Sequence, residues 1–180
     1  MKFIITPLLI CILLASCSSN VDLAIDNPTD QPVFIKVDDL EVEIPANEVV
    51  WVEMGKGDHE LTLQNDSLVK HNFDQSLYMI NPTLNEYLLM EEYYGSDAFY
   101  SSYEMTSKFS SKTVNYMGIE FEGNYDVVDK LINTVTWDYG PREKLPEMVQ
   151  VESGENYTVL KKLLSPTEFI EMVQQSAGAE

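Results

Sequence analysis

Between residues 21 and 73, apolar side chains recur at every second position. Val21, Leu23 and Ile25 are separated by Asp22 and Ala24, and Asp26 follows. Val33, Ile35 and Val37 are separated by Phe34 and Lys36; Leu40, Val42 and Ile44 by Glu41 and Glu43; Val50 and Val52 by Trp51. Leu61 with Leu63, and then Leu68, Val69 and Phe73, predict two more strands. Turn chemistry stands between the runs: Asn27-Pro28-Thr29-Asp30-Gln31-Pro32, Asp38-Asp39, Pro45-Ala46-Asn47 and Gly55-Lys56-Gly57-Asp58. A period of two with frequent turns is the pattern of half-buried antiparallel strands.

Beyond residue 73 the pattern is less regular. Tyr78, Met79 and Ile80 make a short apolar run ended by Asn81-Pro82-Thr83. Residues 87–94 read as a strand on their aromatic content and terminal Gly95, although Thr83 with Glu86 spells a helix capping box, so helix stays open. The stretch 96–112 is rich in serine and is expected to be a mobile loop. Residues 113–121 return to strand-like composition, and 126–136 fit either period. Trp137-Asp138-Tyr139-Gly140-Pro141 predicts a turn. Met148, Val149 and Val151, with Tyr157, Val159 and Leu160 after a polar turn, predict a terminal hairpin. The clearest helix is last: Ser165 as N-cap, Pro166 at the first helical position, Glu168 completing the box, then Phe169, Ile170 and Val173 on one face. The expected fold is mainly β: an antiparallel β-sandwich or barrel-like domain over 21–175, with a short C-terminal helix. An α+β arrangement is the alternative.

The first residues follow a different logic. Lys2 gives one positive charge, and residues 3–14 are apolar apart from Thr6 and Pro7. Twelve helical residues span about 18 Å, against about 30 Å for a bilayer core. A charged start, a short apolar run and small residues after it are the pattern of a secretory leader. Leu14-Ala15-Ser16-Cys17 resembles the lipobox of bacterial lipoproteins. That resemblance implies a signal peptide over 1–16, diacylglyceryl transfer to the Cys17 thiol, cleavage before Cys17, fatty acylation of the new amino group, and a short tether over 17–20. Ser18-Ser19-Asn20 places no aspartate after the cysteine. By resemblance to sorting rules in Gram-negative bacteria, this implies the outer membrane, with the facing side left open.

Charge narrows the partners. Eleven Lys and Arg stand against thirty Asp and Glu, for a net charge of −19. Nucleic-acid binding needs a basic footprint, and none is present. The same charge repels anionic headgroups, so membrane attachment falls to the lipid on Cys17. Cys11 lies in the expected leader and Cys17 is consumed by lipid, so the mature domain would hold no thiol for a disulfide, a thiolate metal site or cysteine catalysis.

Catalytic motifs are not apparent. His59 and His71 are the only histidines, too few for a zinc template. There is no Gly-x-Ser-x-Gly, phosphate loop or dinucleotide fingerprint. Carboxylates are abundant, but nothing selects a pair for glycoside hydrolysis. Asp26, Asp30, Asp38 and Asp39 read as turn-forming and solubilising residues, without the spacing of a calcium loop. No cofactor and no metal site is expected.

Aromatic residues are the remaining signal. Trp51, Trp137, Tyr100 and Tyr103, with Tyr93 and Tyr94, would suit a platform for a sugar ring or a peptide, or else core packing. The leading expectation is a non-enzymatic, lipid-anchored envelope protein acting by protein contact or as a scaffold, with a possible envelope protein partner. The first alternative binds a glycan or peptide on exposed aromatics; the second is an envelope hydrolase with paired carboxylates. A contiguous aromatic patch in a concave site favours the first alternative. Oligomeric state is left open.

Overall fold

A computed structural model describes residues 20–96, 99, 112–151 and 155–177. The expected leader, Cys17 and most of the serine-rich stretch, with Tyr100 and Tyr103, lie outside the described residues. The fold is mainly β with one short C-terminal helix, and its sheets do not close into a barrel.

The described chain stacks in four layers. The outermost is a four-stranded sheet, in order β3 (Leu40–Ile44), β2 (Val33–Val37), β5 (Gly57–Thr62), β6 (Leu68–Phe73). The second is another four-stranded sheet, β12 (Ile132–Asn133), β7 (Leu77–Ile80), β1 (Asn20–Asn27), β4 (Glu48–Gly55). The third is β11 (Tyr125–Val128), β8 (Tyr87–Gly95), β13 (Tyr157–Leu164). The fourth combines the hairpin β9 (Lys112–Tyr116) and β10 (Ile119–Gly123) with helix α1 (Pro166–Ala177). Strand pairing is antiparallel except between β1 and β7, which run parallel.

The alternating positions read from the sequence form the first core. Val21, Leu23 and Ile25 of β1 and Tyr78 and Ile80 of β7 meet Val33, Ile35, Val37, Val42, Ile44, Leu61 and Phe73 between the first two sheets. The third layer is buried on both faces where the start of β8 meets the end of β13, at residues 87–89 and 163–164. Tyr87, Leu89 and Leu163 pack with Met79 of the second sheet. Leu88 and Leu164 point the other way, onto Val114, Tyr116 and Phe169. A strand segment covered on both sides reads as an unbroken apolar run, which is why Tyr87-Leu88-Leu89 carries no period of two.

One open segment is settled and one expectation needs amendment. Residues 126–136 contain β11 and the two-residue β12, not a helix. Met148, Val149 and Val151 form no strand, and Met148 is highly exposed. Residues 157–164 instead pair with β8, Tyr157 opposite Gly95 and Leu164 opposite Leu88. The apolar face of β13 is satisfied by that long pairing, so no local hairpin forms. The C-terminal capping box is made as the sequence spells it: the Ser165 N–H and Oγ each donate to Glu168 Oε2 at 2.9 Å, and the Glu168 N–H donates to Ser165 Oγ at 3.4 Å.

The two histidines sit directly opposite each other on β5 and β6. Nδ1 of His59 lies 2.7 Å from Asp38 Oδ2 and Nε2 lies 2.9 Å from the Gly55 carbonyl. Both partners only accept, so both ring nitrogens must donate, which requires the imidazolium. The Asp38 hydrogen bond raises the His59 pKa above its ordinary value. The sign follows: the contact stabilises the fold fully below the unfolded-state value of about 6.5, and that contribution is lost as pH rises through the raised folded value. We expect the urea midpoint to fall across that window, and His59→Gln to flatten the dependence. A slope that persists in His59→Gln would assign it to another group.

Candidate functional site

The outward face of the second sheet carries the site. Side chains alternate along a strand, so with Leu23 and Ile25 turned into the first core, Ala24 and Asp26 face the opposite way. Pairing sets Met79 of β7, Ala24 of β1 and Trp51 of β4 in one row, and Val49 beside Asp26. Ala24 is the small member of that row and leaves a trough beside Trp51, which is 58% exposed. The loop 137–143 forms the facing wall with Trp137, Gly140, Pro141, Arg142 and Glu143, and Leu163 closes the floor. The resulting cleft has a volume of about 260 Å³.

The chain's two tryptophans therefore line a single cleft, although one lies on a strand and the other on a distant loop. The other aromatics singled out are elsewhere. Tyr94 donates its hydroxyl to the Pro146 carbonyl, and Tyr93 lies against Tyr157. Tyr100 and Tyr103 fall outside the described residues.

A buried polar network sets the loop in place. Asp26 is 1% exposed; it accepts hydrogen bonds from the Tyr87 hydroxyl and from Arg142 Nη2. Asp26 is therefore no turn-forming or solubilising residue, as its sequence context suggested, but an interlayer tie between β1, β8 and the loop. Burial pushes its carboxyl above the usual range, opposed by the Tyr87 hydrogen bond and the Arg142 charge. Burial beside Asp26 drives the Tyr87 phenol upward, so it stays protonated and donates. Lys162, 4% exposed, donates to the Gly140 carbonyl at 2.5 Å and to Glu168 Oε1 at 2.7 Å. The Arg142 N–H donates to that same Oε1 at 2.8 Å. Arg142 has φ 66°, a left-handed conformation unusual for a residue with a side chain, and these contacts hold it there.

Gly140 completes the wall. A Cβ at that position would lie 3.2 Å from Trp137 Nε1, so glycine lets the indole rest against the backbone. Within the described residues the indole N–H of Trp137 and the remaining guanidinium N–H groups of Arg142 have no acceptor. Glu143 accepts from the Gly140 N–H at 2.7 Å, and Glu48 is exposed at the rim. The cleft thus presents two indoles, spare donors and carboxylate acceptors together, which suits binding. No group of three or more His, Cys, Asp or Glu that could hold a metal ion occurs among the described residues.

A second hollow, of about 470 Å³, opens on the outermost sheet where β5 pairs with only the last part of β2. Phe34, Lys36, Glu41 and Asp66 line it, and Lys36 and Glu41 already pair with each other at 2.8 Å. Comparison with protein-family models, with curated proteins and with solved structures gave no match for this chain. Sequence reasoning reached Trp51 and Trp137 by residue type alone. It missed Asp26 as a buried group, and Arg142, Lys162 and Glu168, whose roles depend on contacts between distant segments.

Proposed function

We propose that this chain is a bacterial envelope lipoprotein, held in the outer membrane through lipid on Cys17, that works as a non-enzymatic binding protein through the Trp51–Trp137 cleft. The lipobox Leu14-Ala15-Ser16-Cys17 supports the anchor. The single observation behind the binding role is that both tryptophans line one concave site with an arginine at its wall. Concave sites with aromatic lining and a few polar groups are the usual form of small-ligand sites. A scaffold role through an envelope protein partner is the second reading, favoured by half-exposed Phe34 at the hollow of the outermost sheet.

The test uses the whole chain expressed in a Gram-negative host. The wild type should fractionate with the outer membrane, and Cys17→Ala should be released or left as precursor. Membrane retention of processed Cys17→Ala would end the anchor assignment. Because both tryptophans line the cleft, indole emission reports its occupancy directly. Solubilised envelope extract should shift that emission saturably. Trp51→Ala should bind about tenfold more weakly while changing stability by no more than about 0.5 kcal/mol, as expected for an exposed side chain. Unchanged binding by Trp51→Ala would place recognition elsewhere.

A further inference from the structure

We propose that the cleft takes one neutral pyranose unit of an envelope polysaccharide, an inference that rests on the binding role given above. Charge is the first argument. Asp26, Glu48 and Glu143 line the cleft against a single guanidinium, on a chain of net charge −19. An anionic sugar or an acidic peptide would meet repulsion there, locally and from the whole molecule. Arg142 is already committed through Nη2 to buried Asp26, so it offers hydrogen bonds more than an unbalanced positive charge.

The donors and acceptors are the second argument. A pyranose has apolar C–H faces and a rim of hydroxyls, each both donor and acceptor. Trp51 and Trp137 provide apolar surfaces for the faces. The rim requires donors and acceptors side by side. Arg142 and the Trp137 indole N–H are the donors; Glu48 and Glu143 are the acceptors. An apolar peptide side chain would leave these groups unpaired, which is costly in a desolvated site.

Size is the third. At about 260 Å³ the cleft is below the about 300–1,000 Å³ typical of drug-sized ligands. It is therefore sized to seat one ring and leaves the rest of a glycan in solvent. That predicts recognition of a chain end or a side branch, with affinity that barely grows with oligosaccharide length.

The experiment titrates the purified full-length protein, followed by indole emission, with neutral gluco-, manno- and galacto-configured mono- and trisaccharides. Oligogalacturonate and a mixed tripeptide pool are run in parallel, and solubilised envelope extract serves as the reference. Saturable binding of at least one neutral sugar is expected, with mono- and trisaccharide affinities within about threefold of each other. Trp51→Ala and Glu143→Gln should each weaken it about tenfold, and Trp137→Phe should retain the fold and identify which indole reports. Binding of oligogalacturonate or peptide but no neutral sugar would overturn the ligand class and leave the cleft's binding role intact. Binding of extract but of no panel member would likewise overturn the neutral-pyranose assignment. No response to extract or panel would overturn the binding role itself.

Discussion

Asp26→Ala should lower the unfolding free energy by about 3–5 kcal/mol, the range for breaking a buried ion pair by removing one partner. The loss has two sources. The Tyr87 hydroxyl would keep its donor with no acceptor, and the Arg142 guanidinium would lose the carboxylate that neutralises it. Arg142 is partly exposed, so water recovers some of its share and the effect should fall toward the lower end. Asp26→Asn keeps one oxygen to accept from Arg142, turns the other into an NH2 that the Tyr87 hydroxyl must rotate to accept, and loses the charge, so about 1.5–3 kcal/mol is expected. Urea unfolding with an unchanged slope is the measurement. A loss below about 1 kcal/mol for Asp26→Ala would mean that the layers are held by apolar contact alone.

The second large effect is at Lys162. Its ammonium ties the Gly140 carbonyl and the Glu168 carboxylate together in a site almost closed to water. Lys162→Ala should also cost about 3–5 kcal/mol, because Glu168 stays behind without its charge partner. The same change frees the wall of the cleft, so binding should weaken along with stability. Lys162→Met with Glu168→Gln should recover much of the stability, since replacing both charges spares the uncompensated one. The changes at Asp26 and Lys162 should not add. Arg142 touches both Asp26 and Glu168, and residues sharing a partner couple by about 0.5–3 kcal/mol. Strict additivity in the double variant would separate the two contacts into independent ties.

What the sequence disclosed depended on how each strand is covered. β2, β3, β5 and β6 show their inner faces as alternating letters because only one side of the outermost sheet is buried, and β1 keeps enough alternation to follow. The start of β8 and the end of β13 are covered on both sides, so Tyr87-Leu88-Leu89 and Leu163-Leu164 lose the alternation and their partnership with it. Residues 148–151 carry apolar letters without forming a strand, because the neighbour they seemed to want, residues 157–160, is taken by β8. The cleft was legible only through its tryptophans. Asp22 and Asp26 occupy equivalent outward positions on β1, yet one is exposed and the other is sealed by the third sheet. No local pattern separates them; only the arrival of β8 and the loop 137–143 does.

Glu168 has a consequence that reaches beyond the helix it caps. One oxygen of its carboxylate holds the first turn of α1 and the other holds the backbone of Arg142. The start of the terminal helix and the lip of the cleft are thus fastened by the same rivet. A change that displaces the Glu168 carboxylate from the first turn of α1 would therefore also release the backbone of Arg142.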